Sequence, residues 1–349
     1  MKTFAFHRRF IALVAAWLTL TAVSWAADTV KLVKGSLQGH VVNMTPDHVE
    51  LETGADKNRQ IAVSTIKTIS FEGEPTELKI AKTHAISGHY TEAAAALARI
   101  DRDLARPEVQ QDFEFYKALC AGKIAPAAGN TLADAAAALK QFLEAHPNNY
   151  HYYEVCETLG DVLCADNRPK EAIGYYERLH QAPWPDYRMR AGVAIGRALL
   201  SQRQVAEAQA AFDRVIAVEA DSDAAQAQRL QARLGQAAAR VAAGKPDDAV
   251  KIVENLLKSI DPQEAAIAAQ AYNVLGAAYR KAGRPQEALL AYLSVDHLYA
   301  AVPEAHAEAL ANLVELWEQV GHQDRAELAR KTLLEKYPTS PWSRNLPTR

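Results

Sequence analysis

Three cysteines, eleven histidines and a cluster of tyrosines hold most of the side chains here that could do nucleophilic, metal or recognition chemistry. Cys156 and Cys164, placed on one helix, stand about 12 Å apart along its axis, beyond disulfide reach. Cys120 could join one of them only across adjacent helices, and an odd count leaves a thiol over in an exported chain. No pair has metal-ligand spacing, so all three read as buried apolar thiols in helix packing. Histidines such as His84, His146, His180 and His306 stand singly, as caps, surface or turn residues. Ala243-Gly244-Lys245-Pro246 lacks the upstream glycine and the following hydroxyl of a phosphate loop. Gly-x-Ser-x-Gly, His-Glu-x-x-His and Cys-x-x-Cys are absent. These residues point to no catalytic group, no cofactor and no metal. Tyr150, Tyr152, Tyr153, Tyr175, Tyr176, Trp184 and Tyr187 form the densest aromatic stretch; such rings favour binding surfaces, although helix packing accounts for Tyr153 and Tyr176. Asn43-Met44-Thr45 has the pattern of a glycosylation acceptor but falls on a predicted strand.

The elements that must position these groups fall into three parts. Lys2, Arg8 and Arg9 precede an apolar run, Phe10 to Val23, that ends at Ser24-Trp25-Ala26. A charged start, a short apolar core and a small-x-small site predict a signal peptide over 1–26, cleaved after Ala26. The 14-residue run is shorter than the roughly 20 residues a spanning helix needs. The expectation is a periplasmic or secreted chain without a stable membrane span after cleavage, or a membrane-anchored one if the signal is kept. The whole chain has 39 basic and 42 acidic residues, a net charge of −3. No basic run forms a nucleic-acid footprint, so no nucleic-acid partner is expected.

Residues 28–73 are punctuated by Lys34-Gly35, Thr45-Pro46-Asp47 and Thr53-Gly54-Ala55-Asp56. Between the turns, Val49-Glu50-Leu51-Glu52 and Ile66 to Phe71 alternate apolar and polar residues, which predicts short antiparallel strands. Gly35, Gly39-His40-Val41, Val49-Glu50-Leu51, Ile61-Ala62-Val63 and Ile66 to Phe71 resemble a small Sm-like β-barrel. Barrels of that family often bind RNA; without a basic or aromatic platform, this one reads as a structural or docking module.

From 76 to 340 the chain repeats one phrase, a helix, a break and a second helix opening on a small alanine. Ala93, Ala135, Ala172, Ala208, Ala249, Ala288 and Ala326 fix its register, at spacings of 42, 37, 36, 41, 39 and 38 residues. Periods in this range signal stacked helix pairs. Gly244-Lys245-Pro246 and Gly283-Arg284-Pro285 are near-identical turns, with glycine suited to a helix end and proline to the next start. Gly122 to Thr131 reads as a longer break in an irregular second pair. Residues 341–349 show no periodicity and read as a flexible tail.

Leu275-Gly276, Tyr279, Ala288, Tyr292 and Pro303 resemble the tetratricopeptide repeat, as do Leu159-Gly160, Ala172 and Tyr176. The resemblance implies a mostly α fold, a right-handed α-solenoid of about seven helix pairs preceded by the small β module. The family's unit has 34 residues, so the longer spacing here means longer helices or longer loops; the alanine-rich Glu219 to Ala227 favours the first. The resemblance also implies that the first helix of each unit lines a concave groove for a protein or peptide partner. Projected on this sequence, the groove carries Glu154, Glu157 and Asp161, then Arg190 and Arg197, then Asn273 and Arg280, then Glu308, Glu315 and Glu318. Acidic, basic and acidic bands would give specificity and on-rate to a ligand of complementary order; solvated helix faces carry such charge by default. The family's repeated lysine-asparagine clamp for a terminal carboxylate is missing. The expected function is a non-enzymatic scaffold in the cell envelope, with an accessory or substrate-delivery subunit of an envelope enzyme as the alternative.

Overall fold

The computed structural model describes residues 27–346, apart from 55–57, 102, 129–130 and 262–263. The expected signal segment lies outside the described residues. Five strands come first: β1 (Asp28–Leu32), β2 (Ser36–Met44), β3 (His48–Glu52), β4 (Asn58–Ala62) and β5 (Ile66–Ser70). They form one antiparallel sheet in the order β4-β3-β2-β1-β5.

The sheet is open, which corrects the closed Sm-like barrel. Closure would require β4 to pair with β5, and no ladder joins them. A three-residue 3-10 turn at Val63–Thr65 carries the chain from one edge to the other. Its ends are tied instead to loops, Val63 N–H to the Asp47 carbonyl and the Thr65 carbonyl to Val33 N–H. The apolar positions of the strands, Val30, Val41, Val49, Leu51, Ile61 and Ile69, are buried as the alternation requires. They share one continuous core with Phe71, Leu78 and the helices as far as Ala198. Helices, not a closing strand, cover the apolar face of the sheet.

Seven helix pairs follow: α1 (Thr76–Ile86) with α2 (Tyr90–Leu97), α3 (Pro107–Ala128) with α4 (Leu132–Ala145), α5 (Tyr152–Ala165) with α6 (Pro169–His180), and α7 (Pro185–Ser201) with α8 (Val205–Ile216). Then come α9 (Asp223–Ala242) with α10 (Pro246–Leu257), α11 (Ala265–Lys281) with α12 (Pro285–Leu298), and α13 (Pro303–Gln319) with α14 (Gln323–Lys336). All seven register alanines are buried. Three glycines of the first helices lie against rings of the second. The Tyr176 ring lies against Gly160, Phe212 against Gly196 and Tyr292 against Gly276, each where a Cβ would stand.

The turns inside the pairs repeat as well. Gly88, Asn167, Arg203, Gly244, Gly283 and Gly321 all take positive φ. At Gly283 the N–H bonds the Arg280 carbonyl and the next N–H reaches back to Tyr279, the doubly bonded left-handed helix end. The break expected over Gly122 to Thr131 is overturned: α3 runs on to Ala128. Gly122 is there for close packing, since a Cβ would sit 2.8 Å from Thr158 Cγ2 and 2.9 Å from Leu139 Cδ1. The long spacing comes largely from long first helices, 22 residues in α3 and 20 in α9. Asp223 to Ala227 belong to α9 as expected, whereas 219–222 stay outside it and Ser222 caps the Ala225 N–H. Within the expected tail, Pro341–Arg344 form a short helix, α15, whose Ser343 hydroxyl donates to the Tyr337 carbonyl.

Candidate binding face on the first helices

The first helices of successive pairs pack side by side, α3 on α5, α7 on α9, α9 on α11 and α11 on α13. A cleft of about 310 Å³ opens along this row. Its walls are Arg197 and Leu200 of α7, Leu234 and Gly235 of α9, Gln270 and Asn273 of α11, Glu304 and Glu308 of α13, and Trp342 of α15. No second helix contributes to it. Of the projected residues, Arg197, Asn273 and Glu308 meet in this cleft.

Most of the projected residues also form cross-links between neighbouring helices. Glu157 pairs with Arg190 at 2.9 Å, joining α5 to α7. The Arg190 guanidinium also lies 4.4 Å from the Tyr187 ring centroid, a cation–π contact. Arg197 donates to Gln231 of α9. Arg280 donates to Asn312 and pairs with Glu315, both on α13. Glu318 pairs with Arg330 of α14 at 3.2 Å. Asp161 accepts from the Tyr176 hydroxyl at 2.9 Å and has Lys123 3.7 Å away. Glu154 contacts His151 at 3.4 Å. The bands of charge are thus partly internal to the solenoid: Glu157, Asp161, Arg197, Arg280 and Glu318 each tie one helix to another, whereas Glu154 contacts the start of its own helix.

Electrostatics separates these carboxylates. Burial pushes Glu157 upward, against the Arg190 charge. Burial opposes ionisation of Glu154 too, but the His151 hydrogen bond and the Lys123 and Arg190 charges hold it below the usual range. Burial pushes Glu308 up to about 7, with only the Asn273 hydrogen bond working against it. Burial lowers the Arg197 guanidinium, opposed by Asp161 and Glu304. The three thiols are free, and burial pushes Cys120 up to about 11 and Cys156 to about 12, so neither is a ready nucleophile. Of the aromatic group, Tyr153, Trp184 and Tyr187 stack edge to face, with Trp184 and Tyr187 centroids 4.8 Å apart.

Sequence reasoning missed a buried ionic network where the sheet meets the helices. Lys82 of α1, 3% exposed, pairs with Glu74 and with Asp112 of α3, both at 2.6 Å, and donates to the Ile69 carbonyl at 2.7 Å. His151 approaches Asp112 at 3.4 Å and stacks on Phe115 with ring centroids 3.3 Å apart. Burial raises the energy of ionised Asp112, but the Lys82 and His151 charges outweigh it and hold its carboxyl low. Two further links pin the sheet: Arg106 donates twice to fully buried Asp28, at 2.6 and 2.8 Å, and Tyr153 donates to Asp47 at 3.0 Å. A lysine in an amphipathic helix reads as a surface residue, so the sequence carried no sign of this role.

Residues 121–187 match the tetratricopeptide repeat family model, and residues 205–281, the start of α8 to the end of α11, match the FIMAH domain model. Among solved structures, the fold is similar to a tetratricopeptide repeat protein from Parabacteroides merdae, 18% identical with a TM-score of 0.54, over 74% of this chain and 91% of that one. It is equally similar, with a TM-score of 0.54 at 13% identity, to a Rap protein complexed with competence and sporulation factor, over 76% of this chain and 74% of that one. No curated protein sequence matches the chain. The chain therefore has a tetratricopeptide-type helical-repeat fold, and no catalytic family is indicated. No described helix is long and apolar enough to cross a membrane.

Proposed function

We propose that this chain is an exported, non-enzymatic scaffold that holds an extended peptide or protein segment along its inner helical face in the cell envelope. The observation that carries the reading is the cleft walled by four successive first helices and α15, where Arg197, Asn273, Glu304 and Glu308 converge on one open space. A row of helices that turns polar side chains inward presents an extended surface rather than a closed reaction chamber. Export rests on the Lys2, Arg8 and Arg9 charges ahead of the apolar run and the small residues at Ser24 and Ala26. The sheet, fastened by Lys82, Asp28 and Asp47, extends the solenoid as a rigid docking end.

The test is affinity capture from envelope extract with wild type and with Arg190→Glu plus Arg197→Glu, both shown to be folded by circular dichroism. Loss of captured partners in the double variant is the expected result. An unchanged partner set overturns the inner-face reading, and turnover of a substrate by the purified protein alone overturns the non-enzymatic one.

A further inference from the structure

The α7–α15 cleft carries an imbalance that the solenoid itself does not need. Two carboxylates, Glu304 and Glu308, face one guanidinium, Arg197, which is engaged by Gln231. Asn273, 2% exposed, lines the cleft. Its Nδ2 donates to the Ala305 carbonyl at 2.9 Å and to Glu308 Oε2 at 3.1 Å. Two acceptors on the nitrogen fix which way the amide points, and they leave Oδ1 buried with no donor among the described residues. A buried acceptor without a donor is costly, and a native protein keeps one where something else supplies the bond. Trp342, part of the cleft wall and partly exposed, adds an indole whose face attracts cations.

We propose that this cleft is a subsite for a primary ammonium group, a lysine side chain or a free N-terminus of the bound segment, seated on Glu308 and Glu304 beside Trp342. The assignment rests on the inner face being the binding face. Both demands of the cleft are for hydrogen-bond donors carrying positive charge, and an ammonium brings three donors and one charge. Asn273 positions the Glu308 carboxylate through Nδ2 and keeps an Oδ1 unpartnered among the described residues. A volume of about 310 Å³ suits one side chain or one terminal residue, not a folded domain. A carboxylate or phosphate would have to share the cleft with two acidic side chains. Burial pushes Glu308 up to about 7 against the Asn273 hydrogen bond.

The experiment is isothermal titration of the full chain with three short alanine peptides, one acetylated with a central lysine, one acetylated with norleucine in its place, and one with a free N-terminus and no lysine. The lysine peptide, the free-amine peptide or both should bind at least about tenfold tighter than the norleucine peptide, the loss expected for one buried charge-assisted contact. Glu308→Gln keeps the shape, removes the charge and should abolish that difference with an unchanged circular dichroism spectrum. Which amine peptide wins identifies the source of the ammonium. Equal binding of all three, binding of none, or a preference that survives Glu308→Gln overturns the subsite. Partner capture that depends on Arg190 and Arg197 while these peptides show no preference would overturn the subsite alone and leave the inner-face reading standing.

Discussion

The same substitution, glycine to alanine inside a helix, should have opposite signs at Gly276 and Gly174. In an exposed helix interior the change stabilises by about 1 kcal/mol, because glycine has more backbone freedom to lose. Gly174 in α6 is that case, with nothing within 4 Å of its Cβ position. At Gly276 in α11 the new methyl would stand 2.7 Å from Cε2 and Cζ of Tyr292 and 2.9 Å from Cδ2. The Tyr292 ring is 1% exposed and has no open side to move into. Overpacking of this kind costs about 1–3 kcal/mol, which exceeds the propensity gain and leaves a net loss near 1 kcal/mol. Urea unfolding followed by circular dichroism would place Gly174→Ala at a higher midpoint than wild type and Gly276→Ala at a lower one, with unchanged slopes. Adding Tyr292→Leu to Gly276→Ala removes the overlap, so the two changes should couple by about 1 kcal/mol. Midpoints that move upward together would refute the claim that glycine–aromatic contacts set the helix-pair geometry.

Other substitutions test other parts of the molecule. Arg203 has φ +60 at a turn position where Gly244 and Gly283 stand in other pairs, so Arg203→Gly should raise stability by about 1 kcal/mol; a lower thermal midpoint would count against this. Lys82→Met leaves Glu74 and Asp112 buried without their cation and should cost about 3–5 kcal/mol, partly recovered by adding Glu74→Gln and Asp112→Asn; a loss below about 1 kcal/mol would remove the ionic network from the account. Stability should also fall as pH rises. Glu308 is raised from 4.5 to about 7 by burial, so its contribution is complete below about pH 4.5 and is lost by about pH 7. His151 is raised despite the opposing effect of burial, through Asp112 and Glu154, so its share is lost as pH rises through a value above 6.5. Unfolding midpoints between about pH 5 and pH 8 should therefore decline, less steeply in Glu308→Gln; a rise across that window would contradict both assignments.

The solenoid was legible because its register depends on steric rules that leave a mark in residue type. A small alanine is buried at each register position, glycine stands where a ring passes, and glycine or asparagine at a left-handed helix end; Ala288, Gly276 and Gly283 show all three. Gly122 misled because the same residue serves turns and close packing, and only the position of Leu139 and Thr158 tells them apart. Whether a five-stranded sheet closes is decided by the geometry of its two edges, which alternation along single strands does not encode. Three of the ten residues projected for the candidate face meet in one cleft. The pairing of the rest depends on how one helix is offset from the next. Arg197 meets Gln231, Asn273 meets Glu308 and Arg280 meets Glu315, at separations of 34, 35 and 35 residues. A search for complementary polar residues about one repeat apart would have exposed those links. Gln270, Glu304 and Trp342 carried no such signal, since Trp342 reaches the cleft only through the turn of chain after α14.

The most direct measurement of the central claim is site-specific photocrosslinking in intact envelopes. A photoreactive residue is placed at Arg197 in the cleft in one variant and at Leu298, exposed on the second helix α12, in another. The account predicts a discrete crosslinked partner from position 197 that is missing from position 298. A partner captured from position 298 alone, or equally from both, would contradict an inner binding face.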